Sequence, residues 1–520
     1  MKKCPDVFVQ SLFLFIFTAN MKRESMQSVI PQEFIDYARH LLGEERFLRF
    51  EEALCQSPSV SVRLNPLKYP SAGLSPECCE GYDAPVPWAA QGFYLRERPS
   101  FTFDPLLHAG AYYVQEAASM FLEQVLHRYV TGPVMALDLC AAPGGKSTHL
   151  RSLLPEGSLL VSNEPVRARA QVLAENMTKW GHADVVVTNS YPEDFGKLSG
   201  VFDVVVTDVP CSGEGMFRKE EDAVTGWSMD NVLMCRDRQR DILRDVWPAL
   251  KCGGLLIYST CTLNHYEDEE NVAWIAEELG AEVISCDVPA DWGISGNLLL
   301  SSPVPSEVPG ASDVPVCHFI QGMTRGEGFF MAVLRKTASD SPACLCENGM
   351  SARCGKGKQK KAAMREPAVP SGCCRWLLHS DDFEFRVRGD VLTAVRKEFV
   401  DIVERLFRQV KVMQAGLSVA RLKGRDWMPT HALALSFVLD VHAFPCAEIT
   451  YEQAVAYLRK ETFVLPEGVP AGYVLLLFGG LPLGFVKNLG TRFNNLYPQE
   501  WRIRSGHPVP YCLKSLCAHK

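Results

Sequence analysis

The sequence lacks an excess of positive charge. Lys and Arg together number 53 against 61 Asp and Glu, which leaves a formal net charge of −8. A protein that coats nucleic acid through bulk charge is strongly basic, because its cations neutralise phosphates. The composition therefore argues against such a protein, and a polyanionic partner would have to bind to a local basic patch.

Glycine and proline are too few for a disordered or fibrous chain. The 520 residues include 38 Gly and 33 Pro. Of all residues in the sequence, 22% are charged and 47% are apolar. These proportions are those of an ordinary globular protein. A chain of this length is expected to form about two to four packed domains.

No disulfide framework can be read from the cysteines. They number 19, an odd count, and their spacing is irregular. In a long chain this pattern indicates a reducing compartment in which thiols stay free. Cys344, Cys346 and Cys354 could suggest zinc, but no second metal-binding pair follows at finger spacing, so we expect no metal.

A long hydrophobic run is missing from the start of the chain. Residues 7–17 resemble the apolar part of a secretory signal, but they are too short to span a bilayer, and no small-x-small cleavage pattern follows them. Met21 and Met26 each offer an alternative start. We therefore expect residues 1–25 to be an extension outside the fold of a cytoplasmic protein that has no membrane partner.

From residue 134 onward, hydrophobic runs alternate with helical patterns. The runs span residues 134–139, 158–162, 184–187, 202–207 and 254–258. They are rich in Val, Leu and Ile on both faces, which is typical of parallel strands buried between helices. Helices are predicted at 165–180 and 267–279. We predict an α/β fold with a doubly wound, mostly parallel sheet at residues 101–337.

Smaller modules are predicted on either side of this sheet. Short strands at 61–68 and 87–95 indicate an N-terminal α+β module at residues 26–100. Residues 338–372 lose all periodicity, and a basic run within them predicts a flexible linker that either follows a phosphate backbone or is simply solvated.

A second α+β module is predicted at residues 373–520. Its apolar residues on one face of a predicted helix are Val395, Phe399, Ile402, Val403 and Leu406. Short strands with glycine turns follow at 473–485.

Residues 137–148 predict a strand that runs through a small-residue turn into a helix. The Gly-Lys-Ser at 145–147 imitates the end of a P-loop, but that motif requires Gly where Cys140 stands, and no GxGxxG is present. What remains is a close backbone approach after the first strand, where α/β folds hold an adenosine-type cofactor. Glu164, at the end of the next strand, is either an acceptor for the ribose hydroxyls or an ordinary strand-end carboxylate.

Cys211 and Cys261 follow two further predicted strands, where ligands and chemistry belong in such a sheet. Either cysteine alone is more often a buried apolar residue. Together with Asp208, they place thiols and a carboxylate beside the cofactor. This set suits a reaction at an unactivated pyrimidine carbon, in which attack on C6 makes C5 nucleophilic and later elimination frees the enzyme.

The motifs resemble those of the NOL1/NOP2/Sun RNA (cytosine-5) methyltransferases, which use S-adenosyl-L-methionine. The matching segments are 63–65, 115–120, 140–146, 208–213, 259–262 with Asn271, and 328–332. With these segments, the resemblance extends over most of residues 31–337. Residues 483–488 and 495–498 resemble the PUA-like C-terminal module of the bacterial RsmF-like enzymes, which modify small-subunit ribosomal RNA.

The resemblance implies a Rossmann-like methyltransferase domain between RNA-binding modules, and methylation of C5 of a cytosine in 16S ribosomal RNA through a cysteine–C6 adduct. Cys261 matches the family's nucleophile. Cys211 matches the second cysteine, which helps to resolve the adduct, and Asp208 is expected between the cofactor and the target base. DNA cytosine methyltransferases use the Pro-Cys of the earlier motif, here Cys211, so the reverse assignment is the alternative.

The resemblance also implies a set of residues for S-adenosylmethionine: Cys140, Ala141, Ala142, Pro143, Gly144, Gly145, Lys146, Glu164, Arg169, Asn189, Tyr191 and Asp208. Residues 140–146 are expected to wrap the methionine part of the cofactor, and Glu164 to bind its ribose. The family commonly has an Asp near the adenine. Tyr191 stands there in this sequence, with Asn189 two residues earlier, and either could make the contact.

Two alternatives stay open: the same chemistry on tRNA, and an RNA-binding ribosome assembly factor without turnover. The presence of both cysteines favours turnover, since a pure binding module would need neither. We expect structured RNA as the partner and a monomeric protein. The expected RNA contacts are Arg63, Lys68, the basic run at 353–365, Lys487, Arg492, Arg502 and Arg504.

Overall fold

The computed structural model describes residues 30–68, 81–306, 308–337, 369–504 and 506. The extension expected at 1–25 and the basic run at 353–365 lie outside the described residues. None of the helices in the described part of the chain combines the length and the apolarity needed to cross a membrane.

Two helices, α1 (Gln32–Leu42) and α2 (Glu44–Leu54), open the described chain. In α1 the buried residues are Phe34, Ala38, Leu41 and Leu42, a spacing that places them on one face of the helix. The helices join at Gly43, whose φ of 75° is one that side chains rarely adopt.

An antiparallel sheet follows in the order β2-β3-β1-β4. Its strands are β1 (Val60–Leu64), β2 (Tyr82–Pro85), β3 (Gly92–Leu95) and β4 (Tyr112–Val114). The strand predicted at 87–95 begins at Gly92, because the preceding residues form turns. The expected module boundary at residue 100 divides this sheet, since β4 lies beyond it and pairs with β1.

The central sheet has the order β10-β12-β9-β8-β5-β6-β7-β15, with β11 paired to β12. Its strands before the C-terminal region are β5 (Met135–Asp138), β6 (Leu159–Asn163), β7 (Val185–Thr188), β8 (Phe202–Asp208), β9 (Leu250–Thr260), β10 (Ala281–Ile284), β11 (Cys317–Phe319) and β12 (Phe329–Lys336). The five strands from β9 to β7 run parallel. All five match the predicted hydrophobic runs, and the predicted α/β, Rossmann-like fold class is confirmed.

Helices cover both faces of this sheet. They are α4 (Leu122–Tyr129), α5 (Gly145–Leu153), α6 (Arg167–Trp180), α7 (Pro192–Gly196), α8 (Glu221–Thr225), α9 (Met229–Val246) and α10 (Glu269–Glu278). The preceding short helix, α3 (Pro105–His108), belongs instead to the buried cluster of the first sheet. Successive strand residues point to opposite faces. Leu137 and Val161 accordingly belong to one buried cluster, and their neighbours Ala136 and Leu160 belong to the other.

The C-terminal region contributes two further four-stranded sheets and one strand of the central sheet. Its elements are α11 (Ser371–Cys374), β13 (Phe383–Arg388), β14 (Val391–Arg396), α12 (Val400–Gln409), β15 (Val412–Ala415), β16 (Leu417–Lys423), β17 (Asp426–Pro429), α13 (His431–Leu435), β18 (Cys446–Glu448), α14 (Tyr451–Leu458), β19 (Gly472–Phe478), β20 (Leu481–Asn488) and β21 (Phe493–Asn495). β15 lies antiparallel to β7. The helix predicted from Val395 begins at Val400, because Val395 lies in β14, paired to β13.

Two cations expected to bind RNA instead form hydrogen bonds within the protein, Arg63 as a buried residue and Lys68 as a half-buried one. Arg63 is 1% exposed, its guanidinium donates to Thr148 Oγ1 at 2.7 Å, and it lies 4.4 Å from the centroid of the Trp180 ring. Lys68 Nζ donates to the Lys179 carbonyl at 2.7 Å, and burial lowers its pKa to about 7. The expectation of phosphate contacts from these residues was wrong, because they tie the N-terminal module to the central one.

Candidate functional site

The candidate site lies at the carboxyl edge of the parallel strands, where α/β sheets hold their ligands. The loops after β5, β6, β8 and β9 converge there on one cavity of about 550 Å³. Of the residues predicted from the sequence, those that line it are Cys140, Glu164, Arg169, Asp208, Cys211 and Cys261. The cavity therefore brings together both cysteines, the carboxylate of Asp208 and part of the predicted cofactor set.

The two cysteines touch each other. Cys211 Sγ lies 2.9 Å from Cys261 Sγ, and the Cys261 main-chain N–H donates to Cys211 Sγ at 3.4 Å. The hydrogen bond with Cys261 and burial raise the pKa of Cys211 well above its usual value. Cys211 therefore stays a protonated thiol at neutral pH and can donate to the sulfur of Cys261.

Asp208, at the end of β8, accepts a hydrogen bond on each of its two carboxylate oxygens. Lys146 Nζ donates to Oδ2 at 2.8 Å, and Ser259 Oγ donates to Oδ1 at 3.1 Å. The Asp208 side chain remains 37% exposed. It is thus oriented by its neighbours and still open to the cavity.

The small-residue loop between β5 and α5 is held by helix α6. Arg169 donates to the Ala142 carbonyl at 3.1 Å, and Asn176 donates to the Pro143 carbonyl at 2.8 Å. Gly144 has a φ of 116°, and a Cβ there would lie 3.3 Å from Leu173 Cδ1. The turn therefore requires glycine, and its backbone passes close under α6.

Asp138, at the end of β5, is fully buried beneath this loop. Its Oδ2 accepts from Ser147 Oγ at 2.6 Å, whereas Oδ1 has no hydrogen-bond partner among the residues that the structure describes. Burial raises the pKa of Asp138 to about 7. The carboxyl is therefore a mostly neutral acid in slightly acidic solution.

Glu164 is 2% exposed, yet its carboxylate lines the cavity. One oxygen accepts from the Val166 main-chain N–H at 2.9 Å, and the other lies 3.5 Å from Arg169. Each oxygen has a second lone pair left for a ligand.

Asn189 and Tyr191 are not among the described residues that line the cavity. The Asn189 amide donates to the main-chain carbonyls of Glu164 and Pro165, and its oxygen accepts from Lys411 Nζ at 3.0 Å. Tyr191 is 67% exposed. Asn189 thus holds the end of β6, whereas Tyr191 is free to contact a ligand.

Two residues that the sequence reading missed also line the cavity. Asn231 and Arg238 stand seven positions apart on α9 and therefore on one face of the helix. Arg238 is exposed. The available signal in the sequence was a polar pair at helical spacing. Arg238 adds a cation to the cavity that the two thiols also line.

Comparisons with known proteins give matches along most of the chain. Residues 131–335 match the family described as 16S rRNA methyltransferase RsmB/F, residues 30–117 the N-terminal domain of 16S rRNA methyltransferase RsmF, and residues 444–503 the methyltransferase RsmF PUA domain. The N-terminal match includes β4, as the first sheet does. The PUA match includes the sheet from β18 to β21.

Curated relatives are similar over nearly the full length. The chain is 31% identical over 495 residues to ribosomal RNA small subunit methyltransferase F of Klebsiella pneumoniae (strain 342), covering 92% of this chain and 97% of that one. It is 30% identical over 492 residues to the Aliivibrio fischeri (strain MJ11) protein of the same name, covering 92% and 98%. A crystal structure of a methyltransferase homolog from Pyrococcus horikoshii superposes with a TM-score of 0.51 at 26% identity, covering 61% of this chain and 99% of that one.

Proposed function

This chain belongs to the RsmB/F family of 16S rRNA methyltransferases, and we propose that it methylates C5 of a cytosine in 16S ribosomal RNA. The methyl donor is S-adenosylmethionine, and the reaction passes through a covalent adduct between Cys261 and C6 of the base. The observation that carries this proposal is the contact of 2.9 Å between two thiols in the cavity that Asp208 and Glu164 also line.

The cavity fits the cofactor in size and chemistry. Its volume of about 550 Å³ lies within the usual range for small-molecule sites. The buried Glu164 carboxylate offers two acceptor oxygens, as a ribose diol requires. Residues 140–146, Glu164, Arg169 and Asp208 would hold S-adenosylmethionine. When bound, it supplies an electrophilic methyl group on a sulfonium sulfur.

In this proposal Tyr191, and not Asn189, contacts the adenine of the cofactor. Both the amide and the oxygen of Asn189 already bond to Glu164, Pro165 and Lys411. The exposed Tyr191 ring can pack against an adenine without losing a hydrogen bond.

Cys261 is the nucleophile of the proposed reaction. Its thiol gives its proton to water and its sulfur adds to C6 while N3 of the ring takes up a proton, which makes C5 nucleophilic. C5 would then take the methyl group that S-adenosylmethionine supplies, with S-adenosylhomocysteine as the leaving group. Loss of the C5 proton and of the Cys261 thiolate restores the C5–C6 double bond.

Asp208 and Cys211 support different steps of this reaction. The Asp208 carboxylate, held by Lys146, can accept a hydrogen bond from the cytosine amino group and orient the base. Cys211 keeps its proton and contacts the sulfur that must leave. It can therefore donate to the departing thiolate and promote release of the methylated RNA.

RNA binding is proposed for the C-terminal module, residues 373–520, together with the N-terminal one. Arg492, Arg502 and Arg504 are exposed, and Lys487 lies 5.2 Å from the centroid of the Tyr473 ring. These cations supply the local basic surface that an acidic chain needs to approach RNA.

The test is methyl transfer from labelled S-adenosylmethionine to deproteinised ribosomal RNA and, separately, to tRNA. We expect label in 16S RNA with the parent protein and with Cys252→Ala, a control at an exposed cysteine of β9. No label is expected with Cys261→Ala. Label confined to tRNA would reject the proposed substrate, and the absence of label from both RNAs would favour an assembly factor without turnover.

A further inference from the structure

Four consecutive carboxyl residues, at 267–270, are buried, and the first three lie behind the two cysteines. Glu267, Asp268 and Glu269 are each 0% exposed. Burying one carboxyl group is costly unless it is hydrogen-bonded or neutral, and four in a row multiply this cost. The partners of these groups therefore indicate what the segment does.

Glu267 holds the loop that carries Cys211. Its carboxylate accepts from the Ser212 main-chain N–H at 3.2 Å and from the Ser212 hydroxyl, and it accepts from Gln239 Nε2 at 2.6 Å. The same Gln239 amide donates to the Pro210 carbonyl at 2.9 Å. Both residues that flank Cys211 are therefore bonded to Glu267, directly or through Gln239.

Asp268 holds the loop that carries Cys261. Its Oδ1 accepts from Thr260 Oγ1 at 2.7 Å and from Thr262 Oγ1 at 3.1 Å, so one oxygen bonds both residues that flank Cys261. The Thr262 main-chain N–H also donates to Thr260 Oγ1 at 3.2 Å. These bonds close a tight loop around Cys261.

Glu269 holds the acidic segment through its contacts with His318 and the main chain of Leu298. One of its oxygens lies 3.0 Å from His318 Nε2 and accepts from the Leu298 main-chain N–H at 2.9 Å. The other ring nitrogen of His318 lies 4.0 Å from Asp268 Oδ2. His318 thus packs against the face of Asp268 that points away from the threonines.

We propose that Glu267 and Asp268 are positioning residues that hold the two cysteines in contact, Glu267 acting on Cys211 through Ser212 and Asp268 acting on Cys261 through its flanking threonines. The inference rests on the proposed function for the roles of the cysteines. Each carboxyl group serves one cysteine. Replacing them one at a time should therefore disturb different steps.

The first arm of the test measures how fast Cys261 reacts with iodoacetamide in the full-length protein, by peptide mass spectrometry. Asp268→Ala should slow the reaction about fivefold or more, because the loss of one buried acceptor frees the loop. Asp268→Asn keeps the Oδ1 acceptor and should react as the parent does. Glu278→Ala, at the exposed end of α10, is the matched control.

A second pair of variants separates positioning from folding. Thr260→Val and Thr262→Val keep the side-chain shape, and combined they should reproduce the Asp268→Ala rate with an unchanged affinity for S-adenosylmethionine. If Asp268→Ala fails to fold, this double variant decides the outcome. A Cys261 reaction rate equal to or above that of the parent in the double variant would overturn the role of Asp268.

The second arm follows the covalent protein–RNA complex. Glu267→Ala should lengthen its lifetime, as the loss of the Cys211 thiol should, whereas Asp268→Ala should slow its formation. A complex that forms and decays at parental rates in Glu267→Ala would overturn the role of Glu267. Retained methylation in Cys261→Ala would instead reject the proposed function, so the two failures are distinguishable.

Discussion

Cys211 and Cys261 lie 50 residues apart in sequence, and their sulfur atoms are 2.9 Å apart. The contact follows from strand register, because β8 and β9 run parallel with Asp208 opposite Ser259. Cys211 comes three residues after one member of this pair, and Cys261 comes two residues after the other. Two loops that leave adjacent strands at the same level thus place their thiols together.

The two cysteines should give opposite phenotypes. Cys261→Ala should abolish both methylation and the covalent complex, whereas Cys211→Ala should accumulate the complex because the leaving thiolate loses its hydrogen-bond donor. Denaturing gel electrophoresis of protein incubated with RNA and S-adenosylmethionine measures the complex. Accumulation in Cys261→Ala and loss in Cys211→Ala would reverse the assignment, as in the DNA enzymes.

Cofactor affinity should depend on Glu164. A charged acceptor in a diol contact contributes about 1.5 to 3 kcal/mol, so Glu164→Ala should raise the Kd for S-adenosylmethionine by about tenfold or more. Calorimetry measures this change, with Glu193→Ala, an exposed carboxylate of α7, as the control. A Kd that does not change would remove Glu164 from the cofactor site.

Thermal stability should depend on pH through the titration of Asp138. Burial raises the pKa of Asp138 from 3.8 to about 7, so the folded chain binds this proton more tightly than the unfolded chain does. The resulting stability is fully present below pH 3.8 and is lost as the pH rises through 7, by up to about 4 kcal/mol.

Asp138→Asn keeps an acceptor for Ser147 and cannot ionise. Its melting temperature relative to that of the parent should therefore rise between pH 4 and pH 8, in contrast to that of Asp291→Asn at an exposed position. A difference that stays constant over this range would show that the Asp138 carboxyl is not perturbed.

RNA affinity should depend on salt through the C-terminal arginines. Each phosphate contact steepens the log-log salt dependence of binding by about 0.7 to 0.9, so changing Arg492, Arg502 and Arg504 together to Gln should flatten the slope by about two. Filter binding at several salt concentrations measures it, with Arg46→Gln on α2 as the control. Point variants are preferable to truncation, because the last sheet shares a buried cluster with the first. An unchanged slope would mean that these arginines are solvated surface charge.

The central strands could be predicted because continuous Val, Leu and Ile runs leave few alternatives for a buried segment. The pairing of strands from distant segments could not be predicted, since nothing in the local sequence marks β4 as a partner of β1 or β15 as a partner of β7. The acidic run before α10 suited a helix N-terminus, but the helix begins at Glu269. Glu267 and Asp268 face the cysteine loops instead, which composition alone does not reveal.

Bisulfite sequencing of 16S RNA after reaction with the purified protein tests the central claim most directly, because a methyl group on C5 protects cytosine from conversion. The parent protein should leave a single cytosine unconverted in RNA that lacked this modification, and Cys261→Ala should leave none. Methyl label in the RNA without any protected cytosine, or equal protection by Cys261→Ala, would contradict cytosine-5 methylation through Cys261.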